Sequence, residues 1–334
     1  MTRRLALSAV LLIAGLGVAA QDAAAGFTPG LVASADHLRS AKAARLLGAR
    51  VVRVEFDIST PATALRRSVA EISSRGARPL LLAGFHARLP SEAEARNVGS
   101  WARMFGPGAR FWRHRRHKHP VRLIEFGNET SGSYQYGDSY SDPSYKDRAE
   151  LYASRFAQAH SAVAARHRHV GLLAQADDGG SASAVWVTHM FGAVPKLAEM
   201  VAGWTVHPYG PRDRWEPKLH RLIAQTAAMG ARASIPIDVT EYGISSDDGA
   251  GLTDNYGWPT NLTSDQAAAD LRSTVAEMRA APKIGKRLRL FMVYSAHDLR
   301  PPGATNDREA YFGALRHDLS SKGAYTAEVR RLLR

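Results

Sequence analysis

The 334-residue chain contains no cysteine. Disulfide staples and a cysteine-borne lipid anchor are thereby excluded, so the fold must rest on its own core, which a chain of this length can bury. Beyond its first residues it has no apolar run long enough to span a bilayer. Low-complexity tracts, linker-like stretches and short-period repeats are missing too. Acidic residues are in short supply, with 31 Asp and Glu against 44 Lys and Arg and a formal net charge of +13. Such a surplus would draw an exported protein to anionic polymers such as cell-wall glycans or acidic sugars. Arginine on solvated helix faces accounts for it equally well, so charge alone assigns no partner.

What is present begins with Arg3 and Arg4, the apolar run Leu5 to Ala20 and the small residues Ala23 to Ala25. This is the layout of a secretory signal peptide over residues 1–25, with one domain over 26–334. The alternative, an uncleaved membrane anchor, is opposed by a run that is short and interrupted by Gly15 and Gly17. Removing 25 of the 334 residues leaves 309, and losing Arg3, Arg4 and Asp22 takes the charge from +13 to +12. The expectation is an exported protein, with no stable membrane insertion after cleavage and with wall association left open.

A length of 309 fits one large α/β barrel or two ordinary domains. Strands are expected at Phe27 to Val32, Arg50 to Ile58, Arg78 to Phe85, Val121 to Phe126, Val170 to Ala176, Gly203 to His207, Ile235 to Glu241 and Leu288 to Tyr294. Pro29 makes the first of these the weakest. Helical patterns fill the intervals: Asp36 to Gly48, Thr60 to Gly76, Pro90 to Phe105, Tyr145 to His167, Ala182 to Ala202, Glu216 to Gly230, Ser264 to Ala281 and Tyr325 to Arg334. Eight alternating pairs argue a (β/α)8 TIM barrel, with a doubly wound α/β sheet as the alternative.

In a barrel all strand ends meet at one face, so residues far apart in sequence converge. Asn128 and Glu129 end the fourth strand, His207 to Tyr209 follow the sixth, Glu241 ends the seventh, and Arg53 lies inside the second. Two strand-end carboxylates are the minimal equipment for retaining glycoside hydrolysis. A lone one would more often merely cap the next helix. An acid must keep its proton in a partly apolar pocket while a nucleophile stays ionised beside donors, and Arg53 and Tyr209 are the candidate donors to Glu241. Asn128 is placed to hold a sugar 2-hydroxyl.

Seven segments carry a resemblance. Leu47 to Arg53, Phe105-Gly106-Pro107-Gly108, Glu125-Phe126-Gly127-Asn128-Glu129, Val206-His207-Pro208-Tyr209 and Thr240-Glu241-Tyr242-Gly243 resemble, in order, motifs of the clan A retaining glycoside hydrolases. That superfamily includes cellulases, mannanases and β-xylosidases. Tyr311 to Leu315 and Lys322 to Tyr325 resemble its closing pattern. The resemblance implies a cofactor-free glycosidase acting on a β-linked oligo- or polysaccharide. It makes Glu129 the acid/base and Glu241 the nucleophile, supported by Arg53, Asn128, His207 and Tyr209. Two departures stand out: Thr130 replaces the usual proline, and the eighth strand lacks the usual tryptophan, leaving Tyr294 as the aromatic available for that platform.

Other features divide between function and packing. Tyr134, Tyr136, Tyr140 and Tyr145 could wall a sugar site or pin their loop, and Tyr256 to Trp258 carries the same two readings. His114-Arg115-Arg116-His117-Lys118-His119 suggests metal or nucleic acid, yet it enters the fourth strand at the opposite barrel face and lacks carboxylate or cysteine ligands. A solvated basic loop is expected there, with no metal and no nucleic-acid partner. Asp177-Asp178, at the end of the fifth strand, could line the pocket but reads rather as an exposed turn before Gly179-Gly180. The rival from another class is a wall-associated barrel that binds glycan without cleaving it.

Overall fold

The computed structural model describes residues 26–177, 183–231, 234–248 and 262–334. The expected signal peptide, Asp178 and the loop Tyr256 to Trp258 lie outside the described residues. Eight parallel strands form a closed barrel in sequence order: β1 (Thr28–Val32), β2 (Val51–Asp57), β3 (Arg78–Gly84), β4 (Leu123–Phe126), β5 (Gly171–Asp177), β6 (Gly203–Val206), β7 (Ile237–Gly243) and β8 (Leu288–Tyr294). Around them run α1 (His37–Leu47), α2 (Arg66–Ser74), α3 (Glu92–Phe105), α4 (Pro143–Arg166), α5 (Ser183–Ala193), α6 (Arg212–Ala228), α7 (Ser264–Ala280) and α8 (Ala324–Leu333). The (β/α)8 expectation is met, and the doubly wound alternative falls because β1 pairs with both β2 and β8.

Local chemistry sets the helix ends. Asp36 accepts the Leu38 and Arg39 N–H groups at the start of α1, and Gly48 closes it at φ 82°. Capping boxes, Ser91 with Glu94 and Thr263 with Gln266, open α3 and α7.

Three of the bounds that differ from expectation bear on how the barrel is closed and its site placed. The turn from Thr60 to Leu65 is not part of α2, because the Ile58 and Thr60 carbonyls are taken by Asn97 Nδ2 and the Trp101 indole of α3. Helix α6 starts at Arg212 and runs through Pro217, which forfeits only one backbone bond near the first turn. Strand β7 extends to Gly243, so Glu241 lies within it and not at its end.

The alternation of each strand sorts its inward row into two levels. Val32, Val51, Leu80, Leu173, Leu290 and Met292 form an apolar plug. Two residues further along the same rows come buried polar groups: Arg53 after Val51, Gln175 after Leu173, and the Thr205 to His207 step of β6. The polar upper level can persist only because its members bond to one another. On the outer face of the barrel, Phe85, Phe126, Tyr152 and Trp186 pack between strands and helices. Tyr152 Oη donates to the Phe126 carbonyl and accepts the Gln175 N–H, tying the ends of β4 and β5 to α4.

Most of the His-rich loop is exposed, with Ser73 Oγ bonded to the His117 carbonyl and the His119 N–H. It matches the solvated loop expected. Among the described residues no helix is long and apolar enough to cross a membrane.

Candidate active site

Two backbone irregularities aim the carboxylates. After β4 the chain turns at Gly127, φ 84°, where a Cβ would come within 2.6 Å of Phe85 and Thr130. Glu129 itself sits at φ 49°, a region that side-chain-bearing residues rarely occupy and that marks stored strain. In β7 the register against β8 shifts between Val239 and Tyr242. Such a bulge lets consecutive residues face one side. Thr240 and Glu241 accordingly both point into the barrel, while Tyr242 turns outward to Thr274 of α7.

Arg53 joins the two strand systems. Its Nε donates to Glu125 Oε2 at 2.5 Å, Nη1 to Glu241 Oε1 at 2.5 Å and Nη2 to Asn128 Oδ1 at 2.8 Å. The guanidinium is 2% exposed and Glu125 is fully buried. One buried cation is thus shared by two carboxylates and an amide, one nitrogen to each, through the planar fork of donors only arginine carries. With Asn128 Oδ1 occupied, its amide nitrogen is what the residue has to offer a substrate.

The carboxylates of interest have different surroundings. Glu241 accepts from Arg53 and, at 3.0 Å, from Tyr209 Oη. Burial pushes its carboxyl up, but His207, Arg53 and the Tyr209 hydroxyl outweigh it and hold the group below the usual carboxylate range. Tyr209, packed between Tyr242 and Phe312, stays a phenol, because burial and the Glu241 charge raise it well above 10. Glu129 is more open; its Oε2 meets the Tyr134 hydroxyl and, at 3.5 Å, Gln135 Nε2. Its Oε1 lies 2.9 Å from His207 Nδ1.

His207 Nε2 lies 3.1 Å from Thr240 Oγ1, which donates to Glu125 Oε1 at 2.9 Å. Burial pulls the imidazole down, but the Glu241 and Glu129 charges and the Glu129 hydrogen bond bring it up to about 8, against the opposing Arg53 charge. Ligand atoms of Glu129, His207 and Glu241 lie within 4.8 Å of one another. A metal would need a bare nitrogen and two free carboxylates. Instead both ring nitrogens are engaged and Arg53 already neutralises Glu241, so the donor set suits proton handling.

Six of the seven candidate residues, Arg53, Asn128, Glu129, His207, Tyr209 and Glu241, form one continuous hydrogen-bonded network. Tyr294, the seventh, lies 5.5 Å from Phe312 ring to ring and within reach of the Glu241 and Glu129 charges. The tyrosine loop divides. Tyr134 is 69% exposed over Glu129, whereas Tyr145 is buried against Trp186 and Tyr136 covers the Arg148 guanidinium at 4.0 Å. Arg148 also binds Asp138 at 2.8 Å and the Thr130 carbonyl, which pins the loop to α4.

Sequence reasoning missed Glu125 and Thr240 as site members, and Glu55 with His86 at the mouth. Glu55 lies two residues beyond Arg53 in the same inward row, across Gly84, with its Oε1 2.6 Å from His86 Nε2. A charged residue inside each of two apolar strands was the available signal for Glu125: a buried Glu and a buried Arg need each other.

No family model matches the chain, and no similar protein emerges among curated sequences. Solved structures do resemble it. A β-glucuronidase of Bacteroides uniformis is 13% identical with a TM-score of 0.59 over 93% of this chain and 35% of that one. A family 39 glycoside hydrolase from Bacteroides cellulosilyticus WH2 is 15% identical, TM-score 0.59, over 91% and 63%. The GH5_18 protein of Streptomyces cattleya, solved with GlcNAc, is 15% identical, TM-score 0.59, over 92% and 80%. The chain thus spans about a third of the glucuronidase and under two thirds of the family 39 enzyme. At these identities the likeness is one of fold alone, that of a closed (β/α)8 barrel.

Proposed function

We propose that the protein is a retaining glycosidase that cleaves a β-linked glycan. The observation that carries the reading is the opposition of Glu129 and Glu241, ligand oxygens within 4.8 Å, in unlike surroundings. Retaining enzymes hold their two carboxyl groups about 5–5.5 Å apart, and inverting ones need about 6.5–9.5 Å to admit a water.

Glu241, kept ionised by Arg53 and Tyr209, attacks the anomeric carbon as the bond to the leaving oxygen breaks, and Glu129 gives that oxygen a proton. Glu129 then takes a proton from water, whose oxygen bonds to the anomeric carbon and frees the Glu241 carboxylate. Asn128 serves the 2-hydroxyl and Tyr294 the glycone platform. The glycan-binding rival has no use for an acid poised opposite an ionised carboxylate. Brief exposure to a panel of 2-deoxy-2-fluoro β-glycosides should leave a sugar adduct on the Glu241 peptide in the mass spectrum. Tight sugar binding with no adduct and no hydrolysis would favour the rival.

The pH dependence follows from the two titrating centres. His207 keeps its charge up to about pH 8, and above that the imidazole beside Glu129 gives up its proton and the alkaline limb should fall. Glu241 is held below 4.5, so the acid limb falls below that value. A plot of kcat/KM against pH should be a bell with those limits.

The glycone we infer is neutral. Glu55 faces the mouth paired with His86, Glu309 lies within reach of the Glu129 and Glu241 charges, and the Arg53 nitrogens are already committed. The surface is basic while the pocket is acidic. A uronate would meet like charge, so kcat/KM on an aryl β-glucuronide should be at least ~10-fold below that on the best neutral aryl β-glycoside. A preference for the glucuronide would refute this. Export rests on residues 1–25, and the mass of chain recovered outside the cell tests it.

A further inference from the structure

His207 is gripped on both ring nitrogens, and the two grips are not equivalent. A threonine hydroxyl has a single proton, and Thr240 gives it to Glu125 Oε1 at 2.9 Å. What Thr240 Oγ1 presents to His207 Nε2, 3.1 Å away, is therefore a lone pair. Glu125 is in turn fixed by Arg53 Nε at 2.5 Å, and all three groups are buried. The direction of each bond follows from the one before it: guanidinium to carboxylate, hydroxyl to carboxylate, imidazole N–H to hydroxyl.

We propose that Glu125 and Thr240 are positioning residues that keep a proton on His207 Nε2, reserving Nδ1 for exchanging one proton with Glu129. The inference rests on the reading of Glu129 as the acid/base. With Nε2 always protonated, loss of the last shared proton leaves a bare Nδ1 lone pair facing the Glu129 carboxylate at 2.9 Å. That arrangement is unfavourable, so the pair retains the proton that the first chemical step delivers to the leaving oxygen. A free imidazole would instead move its proton to Nδ1 and donate to the ionised Glu129, and the pair would surrender its transferable proton at lower pH. The other charges facing His207 are Glu241, 3.8 Å away on β7, Glu125 at 3.9 Å on β4, and Arg53 on β2. All three are retained when Thr240 alone is changed.

Two substitutions reach the same tautomer by different routes. Thr240→Val deletes the acceptor opposite Nε2. Glu125→Gln must present its amide oxygen to Arg53, so its NH2 group faces Thr240 and reverses the hydroxyl, which then donates to Nε2. Thr240→Ser keeps the relay. Nitrogen-15 spectra of the imidazoles in the full chain should show neutral His207 as the Nε2–H form in the parent and in Thr240→Ser, and as the Nδ1–H form in Thr240→Val and Glu125→Gln. On the best aryl glycoside, the alkaline limb of kcat/KM should move down by about half to one pH unit in the latter two and stay put in Thr240→Ser. An Nδ1–H form in the parent, or limbs and tautomers that coincide across the set, would overturn the proposal. The spectra need no substrate, so a failure of the relay is distinguishable from a failure of the hydrolase reading. Should Thr240→Val not fold, Glu125→Gln carries the same comparison alone.

Discussion

Glu241→Gln is expected to lower turnover of an activated aryl β-glycoside by about 10⁴-fold or more, the scale on which loss of a covalent nucleophile is felt. The fold should survive the change. A glutamine can still offer its amide oxygen to Arg53 Nη1, where Glu241 Oε1 now sits at 2.5 Å, and its NH2 group to the Tyr209 hydroxyl, which can accept as well as donate. Sugar binding should therefore persist while chemistry stops. Chemical rescue separates the two carboxylates. Azide added to Glu241→Ala attacks the face the side chain has vacated and should yield an α-glycosyl azide, whereas azide added to Glu129→Ala attacks the glycosyl-enzyme and should yield the β-anomer. Undiminished hydrolysis by Glu241→Gln would remove it from the mechanism, and identical anomers from both variants would refute the division of roles.

The parts of this site that were legible in the sequence are those whose physics is local. Strands ending in Gly-Asn-Glu and Thr-Glu-Tyr-Gly announce where chain direction and charge change together, and barrel topology does the rest, since eight parallel strands deliver their ends to one face. Glu129 and Glu241 could be paired across more than a hundred residues on that basis alone. Arg53 could be placed because a cation inside a β-branched run must find anions.

What stayed hidden depends on side-chain direction. Period-two alternation sends neighbouring residues to opposite faces, so Thr240 beside an inward Glu241 reads as outward. Only the register shift between Val239 and Tyr242 turns both inward and makes Thr240 a partner of His207. Bulges leave no reliable mark in a single sequence. The tyrosine loop shows the same limit: composition could not say that Tyr134 would reach Glu129 while Tyr145, eleven residues on, would be buried against Trp186. Its outcome was decided by Arg148, whose bonds to Asp138 and the Thr130 carbonyl fix the loop from the helix that follows.

The second large effect is expected at Arg53. Arg53→Met removes the one cation that Glu125, Glu241 and Asn128 share and leaves two buried carboxylates facing each other's charge. Breaking a buried pair in this way costs about 3–5 kcal/mol, readable as a lower midpoint in urea unfolding, and activity should vanish with it. The pH dependence of stability should weaken at Glu241. In the parent its folded-state carboxyl lies below the ordinary 4.5, so its contribution is present above that value and lost as pH falls through the depressed value. Without Arg53 only His207 and the Tyr209 hydroxyl oppose the burial, so the folded carboxyl moves up from its depressed value. The Glu241 contribution to stability above 4.5 therefore shrinks, and less is lost on acidification, so the variant should gain on its parent as the solution is acidified. Adding Glu125→Gln to Arg53→Met removes one of the two stranded charges and should return part of the lost stability, with no return of activity, because Glu241 and Asn128 still lack the guanidinium that orients them. A variant no less stable than its parent at pH 7, or a double variant no more stable than the single, would mean that the barrel does not depend on Arg53 to bury its carboxylates.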